Sequence, residues 1–217
     1  MLCYKNGALV REGIRDKYAG SSWDKYNELV ESSPPGNGGI LGFYFTLPEI
    51  IPPNVQGEFF YDISDPSSGP VHKDVIPDGA HPRAVLESQF LSIKARVQEI
   101  LPEDAQPPRR LIITGGSSTN QIILQLAANV FGMKVYVATG GKEAAATGGA
   151  QLARYTWWKN RNGSSCTFEE MVLGDRETVK LVAEPRQEFL SVYEGLVESY
   201  RRCEAMAHVQ AQSSMSH

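Results

Sequence analysis

LIITGGSSTNQIILQLAANVFG, residues 111–132, reads as a strand, a double-glycine turn and a helix. Leu111, Ile112 and Ile113 form a short apolar run, the pattern of a central strand covered on both faces. Thr114-Gly115-Gly116 breaks that pattern. Ser117, Ser118, Thr119 and Asn120 then offer side-chain oxygens where the unpaired N–H groups of a new helix need acceptors. Ile122, Ile123, Leu126, Ala127, Val130 and Phe131 recur at helical spacing, and Gly132 suits a C-terminal cap. Adjacent glycines put no Cβ on the turn, so a ligand can lie against the backbone. In an open α/β sheet the ligand crevice lies at the carboxyl ends of the strands, which makes this turn the candidate binding edge. On the residues alone, a tight turn that binds nothing fits equally well. The glycines match neither G-x-G-x-x-G nor the P-loop, because no Lys-Ser/Thr follows them.

Upstream, Met1–Val10 (MLCYKNGALV) has two short strand-like runs around Asn6-Gly7, which predicts a β-hairpin. A chain that opens inside a sheet is expected to continue a longer parent. Residues 11–32 read as mainly helical, with Ser21 and Asp24 spaced as a capping box and Trp23, Tyr26, Leu29 and Val30 on one face. By itself Trp23 reads as a core or rim aromatic. Ile40–Phe45 reads as a strand, and residues 52–79 as an irregular surface loop holding a short strand at Glu58–Tyr61. His81–Leu101 reads as a long helix with Pro82 in its first turn. Leu86, Phe90, Ile93, Val97, Ile100 and Leu101 should face inward. Arg83 and Glu87, four apart, read as a surface ion pair.

Downstream, Met133–Ala138 reads as a strand. Thr139-Gly140-Gly141 turns into a helix over 143–158, whose Gly148-Gly149 suggests close helix–sheet packing. Lys159–Ser165 reads as a loop. Phe189, Tyr193, Leu196, Val197 and Tyr200 mark a last amphipathic helix, and Gln210–His217 is expected to be a disordered tail.

The 217 residues are 41% hydrophobic and 21% charged, as expected of one α/β domain with a sizeable core. A net charge of −4 gives no basic footprint for nucleic acid or an anionic membrane. No apolar run approaches a membrane span, and no signal peptide opens the chain. Cys3, Cys166 and Cys203 are scattered, with neither metal-ligand spacing nor a disulfide framework, which suits a reducing cytoplasm. His72, His81, His208 and His217 form no ligand cluster.

GGSSTNQIILQLAANVFGMKVYV, residues 115–137, resembles the adenine-nucleotide segment of the FGGY carbohydrate kinases, GG-x-S-x-N followed by Q-x-x-A-D-V-F-G-x-P-V. RAVLESQF (83–90) is similar to that family's R-A-hydrophobic-hydrophobic-E-G-Q motif, with Ser88 in place of the glycine. KEAAATGGAQLA resembles its E-x-x-A-x-G-A-A-x-x-A helix. LCYKNGALVRE, Ser22-Trp23 and GNGGILGFYFTLPEIIP narrow the resemblance to the eukaryotic-type xylulose kinases. It runs from Leu2 to about Arg202 and matches only the C-terminal lobe.

The resemblance implies an RNase H-like (actin-like ATPase) α/β domain, with a mixed central sheet flanked by helices. It would span residues 1–209 and lack its first strands. It also implies phosphoryl transfer from ATP to D-xylulose in a full-length parent, with Mg²⁺ accompanying the nucleotide. On that basis Gly115 and Gly116 match the turn against the adenine nucleotide, Asn120 the nucleotide-contacting asparagine at the helix start, and Trp23 a nucleotide-contacting tryptophan. Asn129 stands where the family usually has Asp. The family's catalytic aspartate, most sugar contacts and a glycine-threonine phosphate loop lie outside the matched region. No catalytic residue is therefore assigned, and the chain alone is expected to bind ATP or ADP without turnover. A non-catalytic nucleotide-binding module, or the corresponding lobe of a glycerol or ribulose kinase, stands as the alternative.

Overall fold

A computed structural model describes residues 1–64, 67, 69–102, 104–138, 144–163, 165–173 and 179–215. Helices α1 (Ala8–Tyr18) and α2 (Trp23–Ser32) lead into an antiparallel pair, β1 (Ile40–Phe45) and β2 (Gly57–Asp62), in which Phe43 faces Phe59. Helix α3 (His81–Ile100) follows. Strand β3 (Arg110–Ile113), helix α4 (Gln121–Phe131) and strand β4 (Lys134–Ala138) then form a parallel β-α-β unit. After helices α5 (Ala144–Asn162) and α6 (Phe168–Val172), β5 (Val179–Ala183) returns antiparallel beside β4. Helix α7 (Gln187–Met215) ends the described chain. The expected mixed α/β architecture is therefore present. Among the described residues, no helix is long and apolar enough to cross a membrane.

Among the described residues two apolar clusters make the core, and α4 belongs to both. Ile123, Leu126 and Val130 pack into the large cluster built by α1, α2, α3, β1, β2 and α7. Leu124, Ala127 and Ala128 pack against Val135 and Ala183 of the three-stranded sheet. A helix apolar on both sides is held from both sides, so the turn that precedes α4 is fixed relative to the whole molecule. Helix α3 has the same character over its first turns. His81 to Ser88 are all buried, and α3 packs against α1, α2, α4, α7 and β1.

Several expectations are overturned. Met1–Val10 is not a hairpin. Asn6 is buried and tied to the segment after β1. Its Nδ2 donates to Leu47 O (2.8 Å), and its Oδ1 accepts from Leu47 N (3.0 Å) and Thr46 Oγ1 (3.1 Å). The Lys5 and Asn6 N–H groups donate to the Glu49 carboxylate. These long-range bonds outweigh the local Asn-Gly turn preference, and Gly7 becomes the residue before α1. Strand β3 is an edge strand, not a central one, in the order β3-β4-β5, and Ile112 is 51% exposed. The cap of α2 is Ser22, which accepts from Lys25 N. Ser21 instead has a positive φ of 61°.

Arg83 and Glu87 are buried, not a surface pair. Ile100 and Leu101 are exposed, so the inward face of α3 ends before them. A Cβ on Gly148 or Gly149 would meet nothing within 4 Å, so close packing does not explain them. Helix α5 continues through Asn162, part of the expected loop. Helix α7 likewise runs through the expected disordered tail to Met215, with Ala211 buried and Gln210 accepting from Tyr61 Oη (3.0 Å). The expected turn at Thr139–Gly141 lies outside the described residues.

Candidate functional site

At the carboxyl end of β3 the glycine turn meets α1 and α2 around a cleft of about 510 Å³. Arg11 lines it from α1, Trp23 and Asn27 from α2, and Gly116, Ser117 and Asn120 from the turn. Three of the four residues singled out in the sequence, Trp23, Gly116 and Asn120, thus share one concavity. The fourth, Gly115, shapes the backbone that leads into it. Its φ of 76° and ψ of −163° lie in a region open essentially to glycine.

Gly116 begins a 3₁₀ turn that ends at Thr119. A Cβ added to Gly116 would meet no protein atom within 4 Å, and its φ is not in the left-handed region. Neither packing nor backbone conformation demands glycine there. What the missing side chain leaves is open space over the backbone, inside the cleft.

Only one of the four expected capping residues caps α4. Asn120 Oδ1 accepts from Ile122 N (3.0 Å) and Ile123 N (3.2 Å). Its Nδ2 donates to Asn27 Oδ1 (2.9 Å), which ties the turn to α2. One N–H of the Asn120 amide remains for a ligand. Ser118 Oγ and Thr119 Oγ1 instead donate back to Gly115 O and Gly116 O and stiffen the turn.

Trp23 is half-buried and packs against the main core. Tyr26 packs against it in a T-shaped pair with ring centres 5.2 Å apart, and the Arg15 guanidinium lies 4.8 Å from the centre of its ring. The reading of Trp23 as a rim aromatic is therefore correct, and the rim it occupies is that of the cleft. Glu12 and Asp24 also line the cleft. Among the described residues, no group of three or more His, Cys, Asp or Glu side chains is placed to hold a metal ion. The sequence reading missed Arg11 and Asn27, which carry no motif. Their place in the cleft depends on how α1 and α2 pack, which no local signal encodes.

Behind the cleft, a buried polar junction holds α2, α3 and α7 together. Arg83 Nε donates to Glu87 Oε1 (2.7 Å), and Arg83 Nη1 donates to Val30 O (2.9 Å) and Ser33 O (2.8 Å). Tyr193 Oη donates to Glu87 Oε1 (2.7 Å) and accepts from Arg83 Nη2 (2.7 Å), while Gly36 N donates to the same carboxylate oxygen (3.1 Å). Burial pushes the Glu87 carboxyl above the usual range, and Arg83 opposes that shift. Asn129, the departure from the family's Asp, accepts from Arg186 N (3.0 Å) and Gln125 Nε2 (3.1 Å). An aspartate could accept the same bonds, so the substitution removes a charge and keeps the acceptor.

Residues 2–157 match the family described as the FGGY family of carbohydrate kinases, C-terminal domain. The chain belongs to that family. Xylulose kinase 2 of Arabidopsis thaliana is 38% identical over 188 residues, covering 83% of this chain and 33% of that protein. The xylulose kinase of Mus musculus is 33% identical over 204 residues, covering 94% of this chain and 35% of that protein. The chain thus spans about a third of the length of these FGGY relatives. Among solved structures, the ligand-bound xylulose kinase of Lactobacillus acidophilus superposes with a TM-score of 0.71 at 16% identity. That match covers 97% of this chain and 40% of the bacterial one. The chain therefore carries the actin-like ATPase fold of the C-terminal part of the FGGY sugar kinases.

Proposed function

We propose that this chain is the nucleotide-binding C-terminal lobe of a xylulose kinase, which in the full-length protein transfers a phosphoryl group from ATP to D-xylulose and yields D-xylulose 5-phosphate. The observation that carries this reading is the open space over Gly116, in a cleft that also presents Trp23 and Asn120. In this reading Trp23 meets the base from the rim of the cleft, where the base takes the place of the Arg15 guanidinium over the ring or joins it there, and stacking of that kind contributes about 1–3 kcal/mol. Gly116 lets the nucleotide approach the backbone. Asn120, held by α4 and Asn27, keeps the turn in place and offers its remaining N–H. Mg²⁺ enters with the nucleotide as part of the substrate, where it offsets phosphate charge.

No carboxylate of this chain matches the family's catalytic base, so we expect the chain alone to bind nucleotide with negligible turnover. Transfer needs nucleophile, base and phosphate clamp at attack distance. Purified chain titrated with ADP, followed by tryptophan fluorescence and calorimetry, should show saturable binding that Gly116→Val abolishes. Trp23→Phe should remove the fluorescence change, which separates Trp23 from Trp157 and Trp158. Binding that survives Gly116→Val would place the nucleotide elsewhere. Turnover of D-xylulose by the isolated chain would refute the expected inactivity.

A further inference from the structure

The cleft contains a cation that this reading leaves unused. Arg11 is half-buried on α1, and its guanidinium is clamped from two sides. Nη1 donates to Gln89 Oε1 (2.6 Å) on α3, and Nη2 donates to Ser117 Oγ (2.9 Å), immediately after Gly116. Gln89 is itself fixed, because its Nε2 donates to Asn6 O (2.9 Å) and Gly7 O (3.3 Å) at the start of α1. The guanidinium is therefore aimed by the frame of the molecule at the glycine turn.

Its bonding is incomplete. A guanidinium has five N–H donors, and Arg83, the other deeply placed arginine, spends four bonds and has a carboxylate partner. Arg11 spends two, both on neutral acceptors. Among the described residues, no carboxylate lies within ion-pair distance of it. Glu12 and Asp24 line the same cleft but make no bond to it. Burial works against its charge, the nearby Tyr26 and Glu12 oppose that shift, and a charge taken partly out of water with no carboxylate in ion-pair contact is costly. An anion entering the cleft would remove that cost, and the fork of N–H groups suits phosphate oxygens.

We propose that Arg11 receives the phosphates of a nucleoside di- or triphosphate at the glycine-turn end of the cleft. This assignment rests on the nucleotide reading above and adds a residue and a direction to it: base toward Trp23, phosphates toward Arg11 and Ser117.

The test compares ADP with adenosine by calorimetry on the full chain, as wild type, Arg11→Gln and Arg11→Lys, each first checked for a cooperative thermal transition. Losing a charge-assisted contact should weaken ADP by about 10- to 100-fold and leave adenosine within about twofold. Arg11→Lys, which keeps the charge but not the fork, should fall between. In the wild type, rising salt should weaken ADP and spare adenosine, a measurement that needs no variant. Equal losses for ADP and adenosine, or no loss for either, would overturn the Arg11 assignment while leaving the nucleotide site intact. A folded wild type that binds neither ligand would sink the nucleotide reading itself. Should Arg11→Gln fail to fold, Arg11→Lys and the wild-type salt dependence still decide the matter.

Discussion

Two guanidinium groups, one on α3 and one on α1, show how this lobe divides its work. Arg83 is nearly saturated: four of its five N–H donors go to a buried carboxylate, a tyrosine hydroxyl and two carbonyls, and they lock α2, α3 and α7. Arg11 is held in place and left half-bonded at the edge of a cleft. One region is closed to solvent and committed to stability. The other is rigid and kept short of partners. Binding sites need both properties together, a fixed geometry and unspent hydrogen-bonding capacity, and the closed junction is what makes the open one rigid.

The largest effect should come from the closed junction. Glu87 is fully buried and accepts from Arg83, Tyr193 and Gly36. Glu87→Ala would strand the Arg83 charge and should cost about 3–5 kcal/mol, read by urea unfolding. A loss below about 1 kcal/mol would mean that the junction admits water and behaves as the surface pair the sequence suggested. That misreading has a physical cause. An arginine and a glutamate four apart on a helix look the same in sequence whether their face meets solvent or α7, because burial is decided by partners more than a hundred positions away.

The same distinction separates what was legible from what was not. The strand-glycine-helix unit is fixed by residues within a few positions of one another. Asn120 caps α4, and Gly132 closes it with a φ of 67°, as the sequence indicated. The Asn6-Gly7 pair was misread because Asn6 makes its bonds to the segment after β1. For the cleft, the double-glycine turn was legible in the strand-turn-helix pattern, while Asn120 and Trp23 were singled out as ligand contacts through resemblance. Arg11 was not, because only the packing of α1 on α3 brings it to the turn.

A second test concerns His81, at the other end of the same frame. It stacks on Tyr18 (ring centres 4.1 Å apart), shares a 2.7 Å hydrogen bond with Tyr44 and meets the edge of Phe60. Burial, then the nearby Lys73 charge, push its pKa down to about 4; Asp78 opposes the shift and Lys17 adds to it. The unfolded imidazole titrates near 6.5, so between these values the unfolded chain binds the extra proton. Stability from this group is present above pH 6.5 and is lost as pH falls toward 4. Unfolding curves at pH 7 and pH 5 should show a larger drop for wild type than for His81→Asn. Equal drops would mean that His81 takes up its proton in the folded state without cost.

The open region should be less sensitive. Asn120→Ala removes the cap of α4 and the link to Asn27, and should cost about 0.5–2 kcal/mol while weakening ADP through the loosened turn. A variant that kept full stability would show that the cap is replaceable by solvent.

The smallest and sharpest test sets the two neighbouring glycines against each other. Gly115 has a φ of 76° that an alanine adopts only with strain, so Gly115→Ala should destabilise the chain. Gly116 has no such φ, and its added Cβ meets nothing. Gly116→Ala should therefore be neutral or stabilising by about 0.4–1 kcal/mol, because it restricts the unfolded chain, and yet should weaken ADP. Opposite signs in stability from adjacent glycines, with binding lost at the one that stability does not need, would separate a turn glycine from a ligand glycine. If Gly116→Ala gained stability and kept full ADP affinity, the open space over it would have no nucleotide to explain it, and the double glycine would be a tight turn alone.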